Sequence, residues 1–286
     1  MKNIIYCGDN LPILRRMADE SVNLIYIDPP FNTGKQQKRT QIKTTRSTKG
    51  DRLGFKGNTY KTIQLGTKEY NDIFDDYLEF LTPRLEEAKR ILAPSGTFYF
   101  HIDYREVHYC KVLLDQIFGR ECFLNEIIWA YDYGGKAKTK WPAKHDNILV
   151  YVKDPKKYIF NVDEVDRIPY MAPNLVGPEK AAKGKLPTDT WWHTIVPTTG
   201  HEKTGYPTQK PLGILNRIIS ASSNPGDTVL DFFAGSGTTG ASCIKLKRRF
   251  ILIDKSVQAM GVMAKRFVDV PNIQWMGFDP NRSHSR

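Results

Sequence analysis

Residues 230–240 read LDFFAGSGTTG and join the pattern of a strand to that of a helix. An apolar run over residues 228–232 contains the acid Asp231 and gives way to a loop of glycine and serine. A helical pattern follows over residues 237–246, so the sequence predicts a buried strand, a glycine loop and a helix in succession. Such a unit is typical of a parallel sheet in an open α/β fold.

The glycine loop also predicts a binding site. Gly235 and Gly237 allow the backbone to approach a ligand closely, and free N–H groups at the start of the helix suit a carboxylate or phosphate. The next strand, residues 250–254, ends in Asp254, and an acid at that position can hydrogen-bond ribose hydroxyls. Gly235, Gly237 and Gly240 have the spacing of the G-x-G-x-x-G dinucleotide pattern, which on its own is weak evidence. A nucleoside cofactor site is indicated in outline, and a turn that serves packing alone is the other reading.

Strand and helix patterns alternate along much of the chain. Apolar runs predict strands over residues 4–7, 22–27, 97–102, 147–152, 228–232 and 250–254. Helical spacing of apolar residues predicts helices over residues 11–18, 77–92, 107–118, 212–222, 237–246 and 257–267. This alternation predicts an α/β fold with a doubly wound, Rossmann-like parallel sheet.

A second motif, IYIDPPFNTG, occupies residues 25–34. Asp28 should lie at the carboxyl end of a strand, where open α/β sheets bind ligands. Pro29 and Pro30 fix φ and remove two N–H donors, so their carbonyls and the carboxylate form a surface of hydrogen-bond acceptors only. That surface suits a ligand that donates hydrogens, such as an amino group, and Phe31 offers a flat face for stacking. A strand-end turn without a ligand is the alternative reading.

The chain is strongly basic. Its 286 residues carry a formal net charge of +11 with a pI near 9.3, which predicts a polyanionic partner, most simply nucleic acid. Residues 35–63 hold nine Lys or Arg residues and one acid, Asp51, so a net charge of +8 is concentrated there. Most of the excess charge is therefore local.

The composition is that of a globular protein from a reducing compartment. Hydrophobic residues make up 40% of the sequence. No apolar run reaches about 18 residues, so we expect neither a membrane span nor a signal peptide. Four cysteines without CxxC or His spacing predict core thiols and no metal site, namely Cys7, Cys110, Cys122 and Cys243. We therefore expect a cytoplasmic protein associated with the nucleoid.

Two stretches interrupt the alternation. Residues 36–61 are rich in Thr, Lys, Arg and Gly with almost no apolar periodicity, and they predict a long mobile loop. Residues 131–205 mix Gly, Pro, Lys and aromatic residues around one strand pattern, and they predict an irregular insertion between two halves of the sheet. The predicted organisation is a main domain over residues 1–130 and 204–278, a mobile basic loop over 35–63, an inserted region over 131–203 and a frayed tail over 279–286.

The two motifs together, IDPPF and FAGSGTTG, resemble those of the amino-directed DNA methyltransferases that depend on S-adenosylmethionine. The catalytic motif comes first and the cofactor motif last, which resembles the β group, whose sheet is a circularly permuted methyltransferase fold. Similar segments extend over CGDNLPILRRMADESVNLIYIDPPF and TGYPTQKPLGILNRIISASSNPGDTVLDFFAGSGTTG. The resemblance is weak over residues 35–63 and 131–203, and it implies a target-recognition region at the latter.

The resemblance implies roles for particular residues. In the family the (D/N/S)PP(Y/F/W) motif is catalytic, which implies catalytic roles for Asp28, Pro29, Pro30 and Phe31. The implied residues around S-adenosylmethionine are Asp9, Asn10, Thr208, Lys210, Phe233, Ala234, Gly235, Ser236, Gly237, Thr238 and Asp254. Of these, Asp9 and Asn10 would lie beside the cofactor's adenine, and Asp254 would bind its ribose.

The implied reaction is methylation of an exocyclic amino group in duplex DNA, with the base flipped out of the helix. That nitrogen is a poor nucleophile because its lone pair is delocalised into the ring. If Asp28 and the Pro29 carbonyl accept its hydrogens, the nitrogen can pyramidalise while Phe31 stacks on the base. In the family, Asp at the first motif position goes with N6 of adenine and Ser with N4 of cytosine. Adenine is therefore expected, in double-stranded DNA, with a cognate restriction endonuclease and a homodimer as possible partners.

Basic residues in the two irregular stretches are the predicted DNA contacts. Those after the catalytic motif are placed in sequence to bind phosphates near the extruded base, and binding would then depend strongly on salt. The predicted DNA-binding residues are Lys35, Lys38, Arg39, Lys43, Arg46, Lys49, Arg52, Lys136, Lys138 and Lys140. A solvated loop without a specific role is the alternative for the first stretch.

Three other functions fit parts of the sequence. An RNA or cytosine-N4 methyltransferase would keep the fold and change the substrate. A non-catalytic nucleic-acid-binding protein would have a degenerate cofactor site, which the intact Asp28, Pro29 and Gly235 oppose. A nucleotide-dependent dehydrogenase would account for the glycine loop and leaves IDPPF unexplained.

Overall fold

The computed structural model describes residues 2–32, 35–46, 52–53, 59–72, 76–133, 137–197 and 200–281. The chain divides into two compact units. The larger consists of Met1–Pro29 with Leu78–Arg286, and the smaller consists of Pro30–Tyr77. Within the described ranges, no helix is long and apolar enough to cross a membrane.

The strands and helices are numbered in chain order. The strands are β1 (Asn3–Cys7), β2 (Val22–Ile27), β3 (Lys35–Arg46), β4 (Arg52–Leu53), β5 (Thr59–Asp72), β6 (Leu92–Ile102), β7 (Phe123–Ala130), β8 (His145–Val152), β9 (Thr190–Trp192), β10 (Thr228–Asp231), β11 (Arg249–Asp254) and β12 (Ile273–Met276). The α-helices are α1 (Asn10–Leu14), α2 (Tyr77–Ile91), α3 (Val107–Phe118), α4 (Pro178–Lys183), α5 (Leu212–Ser222), α6 (Thr238–Lys245) and α7 (Val257–Arg266).

Nine strands of the larger unit form one sheet in the order β12-β1-β11-β10-β2-β6-β8-β7-β9. All neighbouring pairs from β12 to β6 are parallel. β8 is antiparallel to both β6 and β7, and β9 is parallel to β7. β10, from the C-terminal third of the chain, lies beside β2 from its start, which is the permuted order that the motif sequence predicts. The predicted α/β sheet is confirmed, with an antiparallel end in addition.

Helices pack on both faces of this sheet. Tyr99 of β6 belongs to a buried cluster with Ile218 of α5 and Met263 of α7. The adjacent Phe98 stacks on Phe118 of α3, with ring centroids 5.2 Å apart. Because successive side chains of a strand point to opposite faces, α5 and α7 cover one face and α3 covers the other. The sheet is therefore doubly wound.

Helix prediction works best where apolar residues recur at regular spacing. α3 and α5 begin and end at the predicted residues, and α2, α6 and α7 differ by one residue at one or both ends. α1 is shorter than predicted and ends at Leu14. Its continuation makes tighter i→i+3 bonds instead, from the Arg16 N–H to the Ile13 carbonyl and from the Met17 N–H to the Leu14 carbonyl.

Three strands of the main sheet were not predicted, namely β7, β9 and β12. The run that forms β7 is FLNEIIWA, in which Asn125 and Glu126 interrupt the apolar pattern. β9 and β12 have three and four residues, and their side chains are mixed in burial. Short edge strands have little periodicity to detect, so tertiary pairing decides them.

The prediction that residues 36–61 form a long loop is wrong for residues 36–46, 52–53 and 59–61, which are strands, and the rest of that stretch lies outside the described residues. The backbone of β3 pairs antiparallel with β5 from Lys35↔Asp72 to Arg46↔Tyr60, and β4 also pairs with β5. These strands form the three-stranded sheet of the smaller unit, in the order β3-β5-β4. Thr-rich sequence favours strands even without apolar alternation, and apolar alternation was the signal that the prediction used.

The inserted region over residues 131–203 is more closely tied to the main sheet than predicted, because β8 and β9 are strands of that sheet. Between them lie a 3₁₀ turn, Pro173–Leu175, and α4. Arg217 of α5 anchors the region, since its guanidinium binds Asp166 at 2.8 Å and lies 4.9 Å from the centre of the Trp191 ring. Of the tail predicted to be frayed, residues 282–286 lie outside the described residues.

Two glycines give a matched test of this packing. Gly237 has φ +72°, and a Cβ there would lie 2.8 Å from Met263 Cγ, whereas a Cβ on Gly261 within α7 would meet nothing within 4 Å. We expect Gly237→Ala to lower the free energy of unfolding by about 2 kcal/mol, through left-handed strain and the clash with α7. Gly261→Ala should raise it by about 0.5–1 kcal/mol because alanine favours the helix. Urea unfolding measures both, and equal effects of the two variants would contradict this packing.

Candidate active site

The two sequence motifs meet at one edge of the larger unit. β10 and β2 are neighbouring parallel strands, in register through Val229↔Leu24 and Leu230↔Ile25. Asp28 directly follows β2, and the glycine loop directly follows β10. Because the carboxyl ends of parallel strands lie at the same edge, the carboxylate and the loop share one side of the sheet. Residues about two hundred positions apart thus form one candidate site.

The Asp28 carboxylate has two oxygens in different surroundings. Oδ2 forms an ion pair with the Lys210 ammonium, and both side chains are largely buried. Oδ1 is buried and, within the described residues, has no hydrogen-bond partner. The His101 ring lies beside Oδ1, with Nδ1 at 3.9 Å. A buried carboxylate oxygen in this state fits a ligand that donates a hydrogen.

His101 lies in a buried polar network behind Asp28. Its Nδ1 is 2.7 Å from the Tyr26 hydroxyl, and its Nε2 is 3.2 Å from Asp146 Oδ2. The Tyr131 hydroxyl donates to Asp146 Oδ1 at 3.0 Å. A neutral ring with the proton on Nε2 satisfies every member, since Nε2–H then donates to the carboxylate and Nδ1 accepts from Tyr26.

The pKa values of this network follow from burial and hydrogen bonding. Burial raises the pKa of Tyr26 well above its usual value, and the nearby Asp28 carboxylate adds to the shift. Burial also acts to raise the pKa of Asp146, but the hydrogen bond and electrostatic attraction from His101, together with the charge of Lys210, outweigh it and leave that pKa below its usual value. The network therefore keeps Asp146 anionic and Tyr26 protonated.

The predicted catalytic tetrad is divided between the two units. Asp28 and Pro29 belong to the larger unit, and Pro30 and Phe31 belong to the smaller. Within the smaller unit, the Tyr77 hydroxyl donates to the Pro30 carbonyl at 2.6 Å. That carbonyl thus has a hydrogen-bond donor within the chain, and no sequence pattern indicates this contact.

The glycine loop is held by its own backbone hydrogen bonds. The N–H of Phe233 donates to Asp231 Oδ1 at 3.0 Å, and that of Gly235 donates to Asp254 Oδ2 at 2.8 Å. The N–H groups of Ala234 and Gly237 donate to carbonyls of Ile253 and Ala234. These four donors therefore stabilise the loop itself, and the N–H groups expected to bind an anion are those at the start of α6, from Thr238 onward.

Positive φ explains both central glycines, which have φ +50° at Gly235 and +72° at Gly237. A Cβ on Gly235 would lie 3.1 Å from the Tyr206 ring, so this glycine admits the segment before α5. Gly237 faces α7 as described above. Close approach to protein groups therefore accounts for both glycines, whereas the sequence analysis assigned it to a ligand.

Ser236 and Thr238 use their hydroxyls within the loop. The two oxygens are 3.0 Å apart, and the Arg266 guanidinium donates to the Ser236 carbonyl at 2.9 Å and to Thr238 Oγ1 at 3.1 Å. Burial lowers the pKa of Arg266 to about 10. These two predicted cofactor residues thus shape the loop through α7, and both side chains are buried.

Two acids, Asp231 and Asp254, accept hydrogen bonds from the glycine loop. Asp231 accepts from Thr239 Oγ1 at 2.6 Å as well as from the Phe233 N–H, yet burial raises its pKa to about 7. Asp254 accepts N–H bonds from Gly235 and Ser256, each 2.8 Å long. Burial raises the pKa of Asp254 in spite of both bonds. Each carboxylate oxygen can accept a second hydrogen bond, so Asp254 can also receive a ribose hydroxyl.

Asn10 and Asp9 are joined to a residue that sequence reasoning missed, Arg84 of α2. Arg84 Nε donates to Asn10 Oδ1 at 2.7 Å, and Nη2 donates to Asp9 Oδ1 at 3.0 Å. Asn10 Nδ2 donates to the Phe232 carbonyl at 2.7 Å, directly before the glycine loop. Arg84 also lies 4.0 Å from the centre of the Phe80 ring. An Arg within an amphipathic helix gives no sequence signal for this role.

The remaining predicted cofactor residues lie close to the loop or just before α5. Phe233 packs against Phe80 with ring centroids 6.2 Å apart, and Ala234 is buried. Thr208 is exposed in a turn, whereas the following Gln209 is buried. Lys210 was predicted beside the cofactor, and the structure instead pairs it with Asp28.

The predicted DNA contacts lie in three places. Lys35, Lys38, Arg39, Lys43 and Arg46 lie on β3, and Arg52 lies on β4. Lys138 and Lys140 are exposed, whereas Lys49 and Lys136 lie outside the described residues. An open groove of about 680 Å³ is lined in part by Tyr104, Lys140, Trp141 and His145. In the described part of the chain, no group of three or more His, Cys, Asp or Glu could hold a metal ion.

Comparison with known proteins gives consistent matches. A family of DNA methylases matches residues 22–265. The Type II methyltransferase M.HpaI of Haemophilus parainfluenzae is 33% identical over 98% of this chain and 77% of its own length. The DNA adenine methyltransferase YhdJ of Escherichia coli K12 is 33% identical over 88% of this chain and 78% of its own.

Two solved structures have the same fold. The M1.HpyAVI–SAM complex aligns with a TM-score of 0.59 and 23% identity, over 92% of this chain and 98% of the other. The cytosine-N4-specific PvuII DNA methyltransferase aligns with a TM-score of 0.64 and 17% identity, over 99% of this chain and 91% of the other.

The buried Asp231 predicts a pH-dependent stability. Because its folded-state pKa is raised to about 7, its contribution is most favourable below the unfolded pKa of 3.8 and is lost as the pH rises through 7. Asp231→Asn cannot ionise, so we expect it to be more stable than the wild type at pH 8.5, by about 1 kcal/mol or more, and to lose that advantage at pH 5. Chemical unfolding at both pH values measures the difference. If the difference in the free energy of unfolding between wild type and variant were the same at both pH values, the raised pKa of Asp231 would be contradicted.

Proposed function

The chain belongs to the N6/N4 family of DNA methylases, and on that premise we propose that it transfers a methyl group from S-adenosylmethionine to N6 of adenine in a specific duplex sequence. The observation that carries the proposal is Asp28 Oδ1, which is buried, has no hydrogen-bond partner within the described residues and lies at the same sheet edge as the glycine loop. The relatives named as Type II and adenine methyltransferases support a sequence-specific adenine enzyme.

The cofactor would lie along the carboxyl edge of the sheet. S-adenosylmethionine, when bound, supplies an electrophilic methyl group on a sulfonium. Phe233 and Gly235 would flank its methionine part, Asp254 would accept from its ribose hydroxyls, and Asp9 and Asn10 would lie beside its adenine. The Arg84 bonds to Asp9 and Asn10 support this placement, because they hold both residues against the start of the loop.

Asp28 and Pro29 would prepare the target base. An exocyclic amino nitrogen is unreactive while its lone pair is shared with the ring. Hydrogen bonds from its two N–H groups to Asp28 Oδ1 and the Pro29 carbonyl would favour a pyramidal nitrogen with a localised lone pair. Positioning and fixed dipoles then lower the barrier, and no covalent enzyme intermediate is required. The base must leave the duplex to reach Asp28, and Phe31 would stack on it.

DNA would be bound by basic residues from two regions. The net charge of +8 over residues 35–63 suits the phosphate backbone, and the β3 backbone arranges part of that charge along a strand. The region 131–203 would read the sequence, with Lys138, Lys140 and Trp141 exposed at its start. A groove partly lined by Trp141 and Lys140 supports contact with a nucleotide strand, because aromatic and cationic groups stack on bases and bind phosphates.

The proposal extends to the biological setting. A Type II methyltransferase is named as a relative, which supports a restriction endonuclease of the same specificity as a partner. The basic charge supports an enzyme that stays on the nucleoid in the cytoplasm, and a homodimer is a further proposed state. Size-exclusion chromatography with light scattering tests the homodimer, and a monomeric mass would refute it.

Asp28→Ala tests the catalytic assignment. We expect transfer of radiolabelled methyl groups to unmethylated plasmid DNA to fall by at least about 10³-fold, because the variant loses the amino-hydrogen acceptor. Calorimetry should show a Kd for S-adenosylmethionine within about threefold of the wild type, since Asp28 faces the base. Asp269→Ala, which changes an exposed acid just after α7, is the control and should keep full activity. Turnover retained by Asp28→Ala would refute the assignment, and mass spectrometry of the digested product separates N6-methyladenine from N4-methylcytosine.

Paired charge removals test the DNA-binding role of β3. Lys38→Gln with Lys43→Gln should reduce the slope of log K against log salt by about 1–2, because each phosphate contact contributes about 0.9. The control is Lys245→Gln with Lys265→Gln, in the last turns of α6 and α7 at the amino edge of the sheet. Fluorescence anisotropy with duplex DNA at several salt concentrations gives both slopes. Equal slopes for the two double variants would exclude β3 from the interface.

A further inference from the structure

The division of the Asp28 carboxylate between two environments indicates which oxygen meets the substrate. Oδ2 is bound by Lys210, whereas Oδ1 is buried and has no hydrogen-bond partner within the described residues. The exposed fractions of the two side chains are 12% for Lys210 and 15% for Asp28, so solvent screens their attraction weakly. The cation thus holds one oxygen and leaves the other to accept a hydrogen.

Lys210 itself is held on both sides in the chain. Gln209 is buried, and its Oε1 accepts from the Thr204 N–H at 2.8 Å while its Nε2 donates to the Glu202 carbonyl at 2.6 Å. Glu202 Oε2 in turn accepts from the Leu212 N–H at 3.1 Å, at the start of α5. These bonds fix the backbone before and after Lys210. The backbone position of Lys210 is therefore fixed, and from it the side chain reaches the Asp28 carboxylate just after β2.

The other nearby cation candidate does not compete for this role. His101 Nδ1 is 3.9 Å from Asp28 Oδ1, which is beyond hydrogen-bond distance. Both ring nitrogens have closer partners in Tyr26 and Asp146. His101 therefore packs beside the carboxylate and leaves Oδ1 to a donor from the substrate.

We propose that Lys210 is a positioning residue for methyl transfer: it fixes the Asp28 carboxylate through Oδ2, so that Oδ1 accepts a hydrogen of the target amino group. This inference rests on the proposed function and deepens it. The sequence predicted that Lys210 contacts the cofactor, whereas this inference assigns it to the group of residues that bind the target base. The role needs both the positive charge and the reach of the side chain, because Oδ2 must be bound in one orientation.

Lys210→Met and Lys210→Arg test the inference against a cofactor role. Methionine keeps much of the side-chain length without the charge, and arginine keeps the charge in a different shape. We expect Lys210→Met to lower the single-turnover rate at saturating cofactor by about 10²-fold, an effect of the size seen for lost orientation. Its calorimetric Kd for S-adenosylmethionine should stay within about threefold of the wild type. Lys210→Arg should recover at least about tenfold of the lost rate, because a cation again binds Oδ2.

Lys265→Met, an exposed lysine at the opposite edge, is the matched control and should match the wild type in both measurements. A Kd raised by about tenfold or more in Lys210→Met, with the saturated rate unchanged, would return Lys210 to the cofactor and overturn the inference. An unchanged rate and Kd would overturn it as well, and so would a lost rate that arginine does not restore. A wild-type chain that transfers no methyl group would instead refute the proposed function, and this inference with it.

Discussion

The parallel pairing of β10 with β2 is the constraint on which the site depends. It joins strands from opposite ends of the sequence and fixes the register through Leu230 and Ile25. Only this pairing brings the glycine loop and the Asp28 carboxylate to one edge. A register shift of one residue would turn the buried side chains of both strands to the wrong face, so the apolar core protects the geometry of the polar edge.

Around that edge, the polar groups of the glycine loop and of Asn10 have partners within the protein. Asp231, Asp254 and Arg266 hold the glycine loop, and Arg84 holds Asn10 against the carbonyl before it. Preorganisation of this kind lets a site bind ligand without first reorganising itself. Asp28 Oδ1 contrasts with these groups, because it is buried without a hydrogen-bond partner among the described residues. Such an atom is costly in the folded protein unless a ligand uses it.

The sequence predicted the parts of the fold that local pattern controls. Helices with regular apolar spacing, such as α3 and α5, were predicted to the residue, and the motif order indicated the permuted sheet. The family resemblance is confirmed by the match over residues 22–265. The short strands β9 and β12 and the Thr-rich β3 escaped prediction, because pairing with distant strands stabilises them and apolar periodicity does not.

Predictions for single residues depended on what each side chain contacts in three dimensions. Ser236 and Thr238 lie in the cofactor motif, yet their hydroxyls bind Arg266, which a sequence cannot show. Arg84 carries no motif, and its role follows from the packing of α2 beside α1. Lys210 follows a turn in the sequence, and only the folded chain brings it to Asp28, 182 positions away. A motif therefore indicates where the functional site lies, and tertiary contacts determine the role of each of its residues.

The function proposed for this edge is methylation of the amino group of adenine in one DNA sequence. Single-molecule sequencing of DNA from cells that express the chain tests this function, because the method reports the modified base together with its context. We expect N6-methyladenine at one recurring sequence and at no other. Modification confined to cytosine, or DNA identical to that of cells without the chain, would contradict it.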